Sequence, residues 1–117
     1  MRLLIVEDSF SVRQLLKSVV APLAMEITEC GDGREALALY AAENPDFVLM
    51  DIDLGEMDGI TATRKIKSGD PNARIIMVTN YDESDLREAA RKAGACGYVL
   101  KENLLKVLDL LKTNSNH

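Results

Sequence analysis

Short apolar runs alternate with amphipathic helical patterns along the whole chain, and this alternation most constrains the fold. Four runs are too short for helices and are bounded by polar or turn residues, at 3–6, 47–50, 75–78 and 98–100. They predict strands buried on both faces. The run at 25–30 instead alternates apolar and polar residues, which is typical of an edge strand with one wet face.

The first two predicted helices follow the first two strands. The first has an apolar stripe at the i, i+3, i+4, i+7 spacing, formed by Val12, Leu15, Leu16, Val19 and Val20. The second begins at an Asp32 cap with Glu35 as its capping-box partner, and it ends before Pro45. Both helices therefore connect consecutive strands.

Three further helices are predicted in the second half of the chain. One has Asp58 as its N-cap and ends before the turn at 68–72. The next runs from an Asp82 cap to Gly94, which suits a left-handed terminator. The fifth carries Leu104, Leu105, Val107, Leu108, Leu110 and Leu111. These are more apolar residues than one face needs, so we expect an exposed remainder that suits partner binding.

Five strands alternating with five helices predict an α/β fold with right-handed crossovers and a parallel sheet covered on both faces. Placing the second strand at an edge selects the doubly wound, flavodoxin-like order 2-1-3-4-5. A length of 117 residues suits a single domain covering 1–117. We expect a frayed polar tail at 112–117.

Composition excludes several other functions. Lys and Arg total 14 against 19 Asp and Glu, and the basic residues are scattered, which argues against nucleic-acid binding by this segment. Cys30 and Cys96 lack a CxxC or His neighbour and are predicted to be buried free thiols. No apolar stretch has membrane-spanning length, and the first is too short for a signal peptide. We therefore expect no membrane association and a cytoplasmic location.

Polar residues stand at the ends of four of the predicted strands. They are Glu7, Asp8, Asp51, Thr79 and Lys101. Because the carboxyl ends of parallel strands meet at one edge of the sheet, these residues are expected in one cleft. Crowded carboxylates need a compensating cation, and this oxygen-rich set suits Mg²⁺. With a lysine and a hydroxyl for phosphoryl oxygens, the pattern indicates phosphoryl transfer to Asp51.

With these residues at its strand ends, the chain resembles, over nearly its whole length, the receiver domains of bacterial two-component response regulators. The family has an acidic pair after its first strand, matched by Glu7 and Asp8. Its phosphoacceptor motif, of the DIxMPxMDG kind, is matched by the stretch DIDLGEMDG that begins at Asp51. Its hydroxyl residue and its lysine are matched by Thr79 and Lys101. Any one motif is weak, but all four in this order are specific.

The resemblance implies that Asp51 accepts a phosphoryl group from the phosphohistidine of a sensor histidine kinase or a phosphotransfer protein. Mg²⁺ would be held by Asp8, Asp51 and the backbone carbonyl of Asp53, with Glu7 assisting through water. The chain would then be a phosphoacceptor and not an enzyme, with at most slow self-phosphorylation and self-dephosphorylation.

The resemblance also implies a switch. Thr79 and Lys101 would bind the phosphoryl oxygens, and movement of Thr79 would be coupled to Tyr98. A tyrosine merely packed at the sheet edge is the alternative for Tyr98. The fourth helix, fifth strand and fifth helix would form the output face for a downstream partner, and a phosphorylation-dependent homodimer is an open alternative. The stretch at 97–103 is similar to receivers attached to helix-turn-helix domains, so a stand-alone and an excised receiver both remain open, without an output domain in this chain.

Five residues near the site bear on its behaviour. Three of them depart from the common pattern of the receiver family. Gly55 stands where the family often has proline, Glu102 replaces a common proline, and Asn80 replaces a small residue. Asp53 and Tyr81 add charge and bulk beside the site. We expect no cis peptide after Lys101 and an altered phosphate lifetime.

Two alternatives stay open at this point. In a haloacid-dehalogenase-type phosphatase, Asp51 and Asp53 would be nucleophile and general acid, but that family places its DxD motif on the first strand. The other alternative is a phosphorylation-independent interaction domain of the same fold.

Overall fold

The computed structural model describes residues 1–114, in which five strands alternate with five α-helices. The strands are β1 (Arg2–Val6), β2 (Glu26–Cys30), β3 (Phe47–Met50), β4 (Ile75–Thr79) and β5 (Gly97–Leu100). The helices are α1 (Phe10–Val20), α2 (Gly33–Glu43), α3 (Gly59–Gly69), α4 (Ser84–Ala93) and α5 (Lys106–Asn114). A short 3₁₀ turn, Lys101–Asn103, follows β5.

The strands form one parallel sheet in the order β2-β1-β3-β4-β5, which confirms the predicted topology and the edge position of β2. The central strands β3 and β4 are buried throughout, as predicted. The prediction that the run at 98–100 is buried on both faces is wrong. Among residues 1–114, β5 pairs only with β4, at the edge of the sheet opposite β2, and Val99 is the one buried residue of this strand.

Two apolar clusters cover the two faces of the sheet. The side chains of β1, β3 and β4 alternate between them, because successive residues of a strand point to opposite faces. One cluster joins α2, α3 and α4 to Leu4, Val6, Val48, Met50, Ile75 and Met77. The other joins α1 and α5 to Leu3, Ile5, Leu49, Ile76 and Val78. Each fully buried aliphatic side chain contributes roughly 1.5–3 kcal/mol, so this core fixes the strand ends firmly.

The helix N-termini confirm two predicted caps and correct one. Asp32 accepts a hydrogen bond from the backbone N–H of Glu35 at 2.8 Å, and Asp58 caps α3 in the same way. The prediction that Asp82 caps the fourth helix is wrong. Helix α4 begins at Ser84, and the carboxylate of Asp82 instead accepts a hydrogen bond from Nε of Arg87 at 2.8 Å. An ion pair within the chain has replaced the cap.

Helix ends differ from prediction at three places. The helix predicted to end before residue 68 continues through Gly69, since the N–H of Asp70 still bonds the carbonyl of Ile66. Leu104 and Leu105 lie in a turn before α5 and not in the helix. The tail predicted to fray from residue 112 is helical through Asn114, and residues 115–117 lie outside the described residues. Gly94 terminates α4 with a φ of 107°, as predicted.

The cysteines are both free, as predicted, but they differ in burial. Cys30 is buried at the end of β2, and Cys96 is exposed before β5, so the prediction of two buried thiols is wrong for Cys96. None of the helices within residues 1–114 combines the length and apolar character needed to cross a bilayer.

Candidate functional site

Three predicted site residues meet at the carboxyl edge of the sheet. Glu7 directly follows β1, Asp51 directly follows β3, and Lys101 directly follows β5. The Nζ atom of Lys101 lies 2.8 Å from Oε1 of Glu7 and 3.4 Å from Oδ2 of Asp51. The fold thus brings one cation between two carboxylates that are 44 positions apart in the chain.

Burial makes this cluster electrostatically strained. The side chains of Glu7 and Asp51 are only 1% and 3% exposed. Burial and the neighbouring Glu7 carboxylate raise the pKa of Asp51 to about 6, although Lys101 opposes the shift. Burial lowers the pKa of Lys101, but its hydrogen bond to Glu7 and the charge of Asp51 outweigh this, so the net shift is upward. Two carboxylates and one ammonium leave excess negative charge.

The acidic cluster has the dimensions of a Mg²⁺ site. Carboxylate oxygens of Glu7, Asp8 and Asp51 all lie within 4.8 Å of one another. Opposite direct ligands of Mg²⁺ are about 4.2 Å apart, so this set fits the ion with part of its coordination supplied by water. Asp8 is exposed, which leaves its side of the cluster open to water. The carboxylate of Asp53 does not belong to this group among the described residues.

Gly59 supports Asp51 in a way that the sequence did not reveal. Its N–H donates to the carbonyl of Ile52 at 2.8 Å, which folds the loop after β3 back onto α3. A Cβ atom on Gly59 would lie 1.9 Å from the backbone oxygen of Asp51. Only glycine permits this approach.

The loop between β3 and α3 departs from a proline-containing loop. Gly55 has a φ of 81°, in the left-handed region, whereas proline is fixed near −65°. A Cβ atom at Gly55 would meet nothing within 4 Å among residues 1–114. Conformation, and not space, therefore selects glycine here. The peptide after Lys101 is trans, as expected, since the described residues contain no cis bond.

Thr79, Tyr81 and Tyr98 form a connected group above β4 and β5. Thr79 is fully buried, and its Oγ1 accepts a hydrogen bond from the N–H of Tyr81 at 3.2 Å. The hydroxyl of Tyr98 donates to the carbonyl of Tyr81 at 2.7 Å. The guanidinium of Arg87 lies 4.6 Å from the centre of the Tyr98 ring. Tyr98 therefore has both a packing role and a polar link towards Thr79.

Arg13 is a second residue that sequence reasoning missed. Its Nη1 donates to the backbone carbonyl of Glu7 at 2.9 Å. Its Nε lies 3.3 Å from Oε1 of Glu29 on β2. No local motif marks this position, and only the packing of α1 beside the end of β2 reveals it.

Comparisons with known proteins agree with this architecture. A family model described as the response regulator receiver domain matches residues 3–111. The chemotaxis protein CheY of Thermotoga maritima is 39% identical over 101 residues, covering 86% of this chain and 84% of that protein. The regulatory protein AtoC of Escherichia coli is 39% identical over 110 residues, covering 94% of this chain. The chain spans only 24% of the length of AtoC.

Solved structures give the same result. A LuxR-family two-component response regulator from Aurantimonas sp. SI85-9A1 has a TM-score of 0.89 and 32% identity, covering 96% of this chain and 82% of that one. The structure of the CheX-CheY-BeF₃-Mg²⁺ complex from Borrelia burgdorferi has a TM-score of 0.84 and 31% identity, covering 100% and 90%. These matches give no support to the phosphatase alternative. With a family model covering nearly all of its length, the chain belongs to the response regulator receiver domain family of two-component signalling.

Proposed function

We propose that this chain is a phosphorylation-controlled receiver domain in which Asp51 accepts a phosphoryl group from the phosphohistidine of a sensor histidine kinase or phosphotransfer protein. The observation that carries the proposal is the buried cluster in which Asp51 and Glu7 share Lys101. A carboxylate at a strand end, with a cation already beside it, is suited to take up a group whose negative charge must be neutralised.

Mg²⁺ is the proposed cofactor, held by Asp8, Asp51 and the backbone carbonyl of Asp53, with Glu7 assisting through water. Supporting this, the oxygens of Glu7, Asp8 and Asp51 lie within 4.8 Å of one another. When bound, the ion would neutralise charge on the phosphoryl oxygens. The related CheY of Borrelia burgdorferi occurs in a complex with BeF₃ and Mg²⁺.

In the proposed transfer, an Asp51 carboxylate oxygen forms a bond to phosphorus while the phosphorus–nitrogen bond of the phosphohistidine breaks. Lys101 would exchange part of its contact with Glu7 for a phosphoryl oxygen, and the Thr79 hydroxyl would donate to another. These residues position and neutralise, and they supply no general base. The proposal therefore describes a phosphoacceptor with at most slow self-phosphorylation and self-dephosphorylation.

The proposed output face comprises α4, β5 and α5. Tyr98 lies on this face and is linked through the carbonyl of Tyr81 to the residue that bonds Thr79. Leu105, just before α5, is 71% exposed and is an apolar remainder of the kind that a partner would cover. We propose that residues 1–117 form one domain in the cytoplasm, whether stand-alone or part of a longer regulator. Phosphorylation-dependent pairing of two copies is a further proposal for the same face.

A phosphorylation-independent interaction domain is the second candidate. The hydrogen bond of 3.2 Å between Tyr81 and Asp53 favours it, because this bond spans two loops beside Asp51 and would hinder a bulky donor. The two candidates differ in a single observable, which is whether Asp51 takes up phosphate.

The test is the intact mass after incubation with Mg²⁺ and acetyl phosphate. The parent protein should gain one phosphoryl group, and Asp51→Asn and a metal-free sample should gain none. Asp53→Asn is the matched control, because it removes a carboxylate outside the acidic cluster and keeps the backbone carbonyl of residue 53 that is proposed to bind the ion. It should still be phosphorylated. No gain in the parent, together with unchanged spectra on titration with beryllofluoride, would favour the interaction domain.

A further inference from the structure

We propose that Arg13 is a positioning residue that fixes the peptide between Glu7 and Asp8 and so sets the Asp8 carboxylate for Mg²⁺. The inference rests on the proposed function, because it concerns the same metal site. Arg13 would not contact the ion or the phosphoryl group. It would act through the main chain that carries two members of the acidic cluster.

The backbone of Glu7 is tied on both sides. Its N–H donates to the carbonyl of Cys30 at 3.0 Å, which ties it to the end of β2. Its carbonyl accepts the hydrogen bond of 2.9 Å from Nη1 of Arg13. That carbonyl and the N–H of Asp8 belong to one planar peptide unit. The Arg13 contact therefore restricts the rotation that would swing the Asp8 side chain away from Asp51.

The guanidinium of Arg13 is itself held in place. Oε1 of Glu29 lies 3.3 Å from Nε of Arg13, and Oε2 of the same residue lies 2.7 Å from Nζ of Lys17. The side chains of Arg13 and Glu29 are 22% and 31% exposed, so their contact is partly shielded from water. Gly31 borders both groups, since a Cβ there would lie 3.6 Å from Nη1 and 3.8 Å from Cα of Asp8.

Small displacements of Asp8 matter because Mg²⁺ demands nearly ideal octahedral geometry. Residues that orient metal ligands without touching the ion typically change metal affinity by about 10–100-fold when removed. The exposed position of Asp8 makes it more dependent on such support than the buried Glu7 and Asp51. Loss of the Arg13 charge alone would favour Mg²⁺ binding, because it removes a cation beside the acidic cluster. A weaker affinity after loss of Arg13 would therefore report the lost positioning of Asp8.

The chain offers a matched pair for this test. Arg13→Met and Lys17→Met each remove one positive charge and one ion pair with Glu29. Only Arg13→Met also removes the hydrogen bond to the Glu7 carbonyl. Mg²⁺ affinity is measured by following backbone amide NMR signals during a MgCl₂ titration of the unphosphorylated protein. Thermal unfolding of each metal-free variant is recorded alongside, so that a loss of stability is separated from a loss of affinity.

Arg13→Met should bind Mg²⁺ about 10-fold more weakly than the parent, and Lys17→Met within about 2-fold of it. The metal-free amide signal of Asp8 should shift in Arg13→Met and stay in place in Lys17→Met. Arg13→Lys keeps the charge but cannot contact Glu29 and the Glu7 carbonyl at once, so its Mg²⁺ affinity should lie between those of the parent and Arg13→Met. It also decides the matter should Arg13→Met fail to fold.

Equal Mg²⁺ affinities for the Arg13 and Lys17 variants, in a parent that binds the ion, would overturn the role of Arg13 and leave the proposed function standing. A parent protein that binds no Mg²⁺ would overturn the proposed function and the inference together. The titration thus distinguishes the two failures.

Discussion

The hydroxyl group of Tyr81 donates a hydrogen bond to Oδ2 of Asp53 over 3.2 Å, which joins the loop after β4 to the loop after β3 beside Asp51. The backbone of the same tyrosine bonds Thr79 through its N–H and Tyr98 through its carbonyl. Tyr81 therefore connects Thr79, the loop beside Asp51 and Tyr98 on the proposed output face. Tyr81 and Asp53 are two of the residues near the site that were expected from the sequence to alter the phosphate lifetime.

Removing the Tyr81 hydroxyl should shorten the life of the phosphorylated state. Tyr81→Phe removes this hydrogen bond and should speed dephosphorylation about 2–5-fold by freeing the loops that cover Asp51. Tyr81→Ala, which also removes the ring, should be faster still. Phosphate release after removal of the donor gives the rates.

The control for Tyr81 is Tyr40→Phe. Tyr40, on α2, also donates to an aspartate, Asp70 at the end of α3, at 2.6 Å, and this hydrogen bond lies away from the site. Its loss should leave dephosphorylation unchanged. Identical rates for the parent and both Tyr81 variants would show that the Tyr81 hydrogen bond does not control phosphate lifetime.

The pH dependence of stability should carry the signature of Asp51. Its pKa is raised from 3.8 to about 6 in the folded protein, so between these pH values the folded state holds a proton that the unfolded chain has lost. The stabilisation from this proton is present below pH 4 and is lost as the pH rises through 6.

In metal-free buffer, the parent should therefore lose on the order of 1–3 kcal/mol of unfolding free energy relative to Asp51→Asn between pH 4 and pH 8. Urea unfolding of both proteins across this range measures the difference. Asp53→Asn, which removes an exposed carboxylate instead, should track the parent. A constant gap between parent and Asp51→Asn would mean that Asp51 is not protonated more readily in the folded state.

Gly59→Ala should be strongly destabilising, because the new Cβ would lie 1.9 Å from the backbone oxygen of Asp51. We expect a loss of about 2–4 kcal/mol and a displaced phosphoacceptor. Gly69→Ala is the matched control: it is in the same helix, α3, and its Cβ would meet nothing within 4 Å in the part of the chain that the structure describes. Alanine there should be neutral or stabilising by up to about 1 kcal/mol. Urea unfolding that ranked the two variants equally would contradict the close approach.

The sheet order was predictable from sequence because four strands are compact apolar runs with sharp polar limits, and because the alternating run at 25–30 marks β2 as an edge strand. The same limits placed Glu7, Asp51 and Lys101 at strand ends, and parallel pairing then forces strand ends together. Proximity follows from topology here. Topology does not predict the exact separations of 2.8 and 3.4 Å at which Lys101 bridges the two carboxylates.

The failures arise where distant contacts override local rules. Asp82 satisfied the local rule for a cap, but Arg87 competes for its carboxylate. The strand at 98–100 has the composition of a central strand, yet its burial depends on how many strands lie beyond it. Arg13 and Gly59 contact backbone oxygens of Glu7 and Asp51. Contacts to main-chain atoms leave no side-chain pattern in the sequence.

Gly55 allows a test of whether this loop truly departs from a proline-containing one. Because its φ is 81° and its surroundings are open, the cost of a substitution should follow backbone preference and not size. Asparagine tolerates this region best after glycine, alanine should cost about 1–2 kcal/mol, and proline, fixed near −65°, should cost more than alanine. Urea unfolding should therefore rank the variants Gly55→Asn, Gly55→Ala, Gly55→Pro in falling stability. If Gly55→Pro were as stable as the parent, the loop would be free to adopt the proline-compatible form, and the positive φ would not be a requirement of the site.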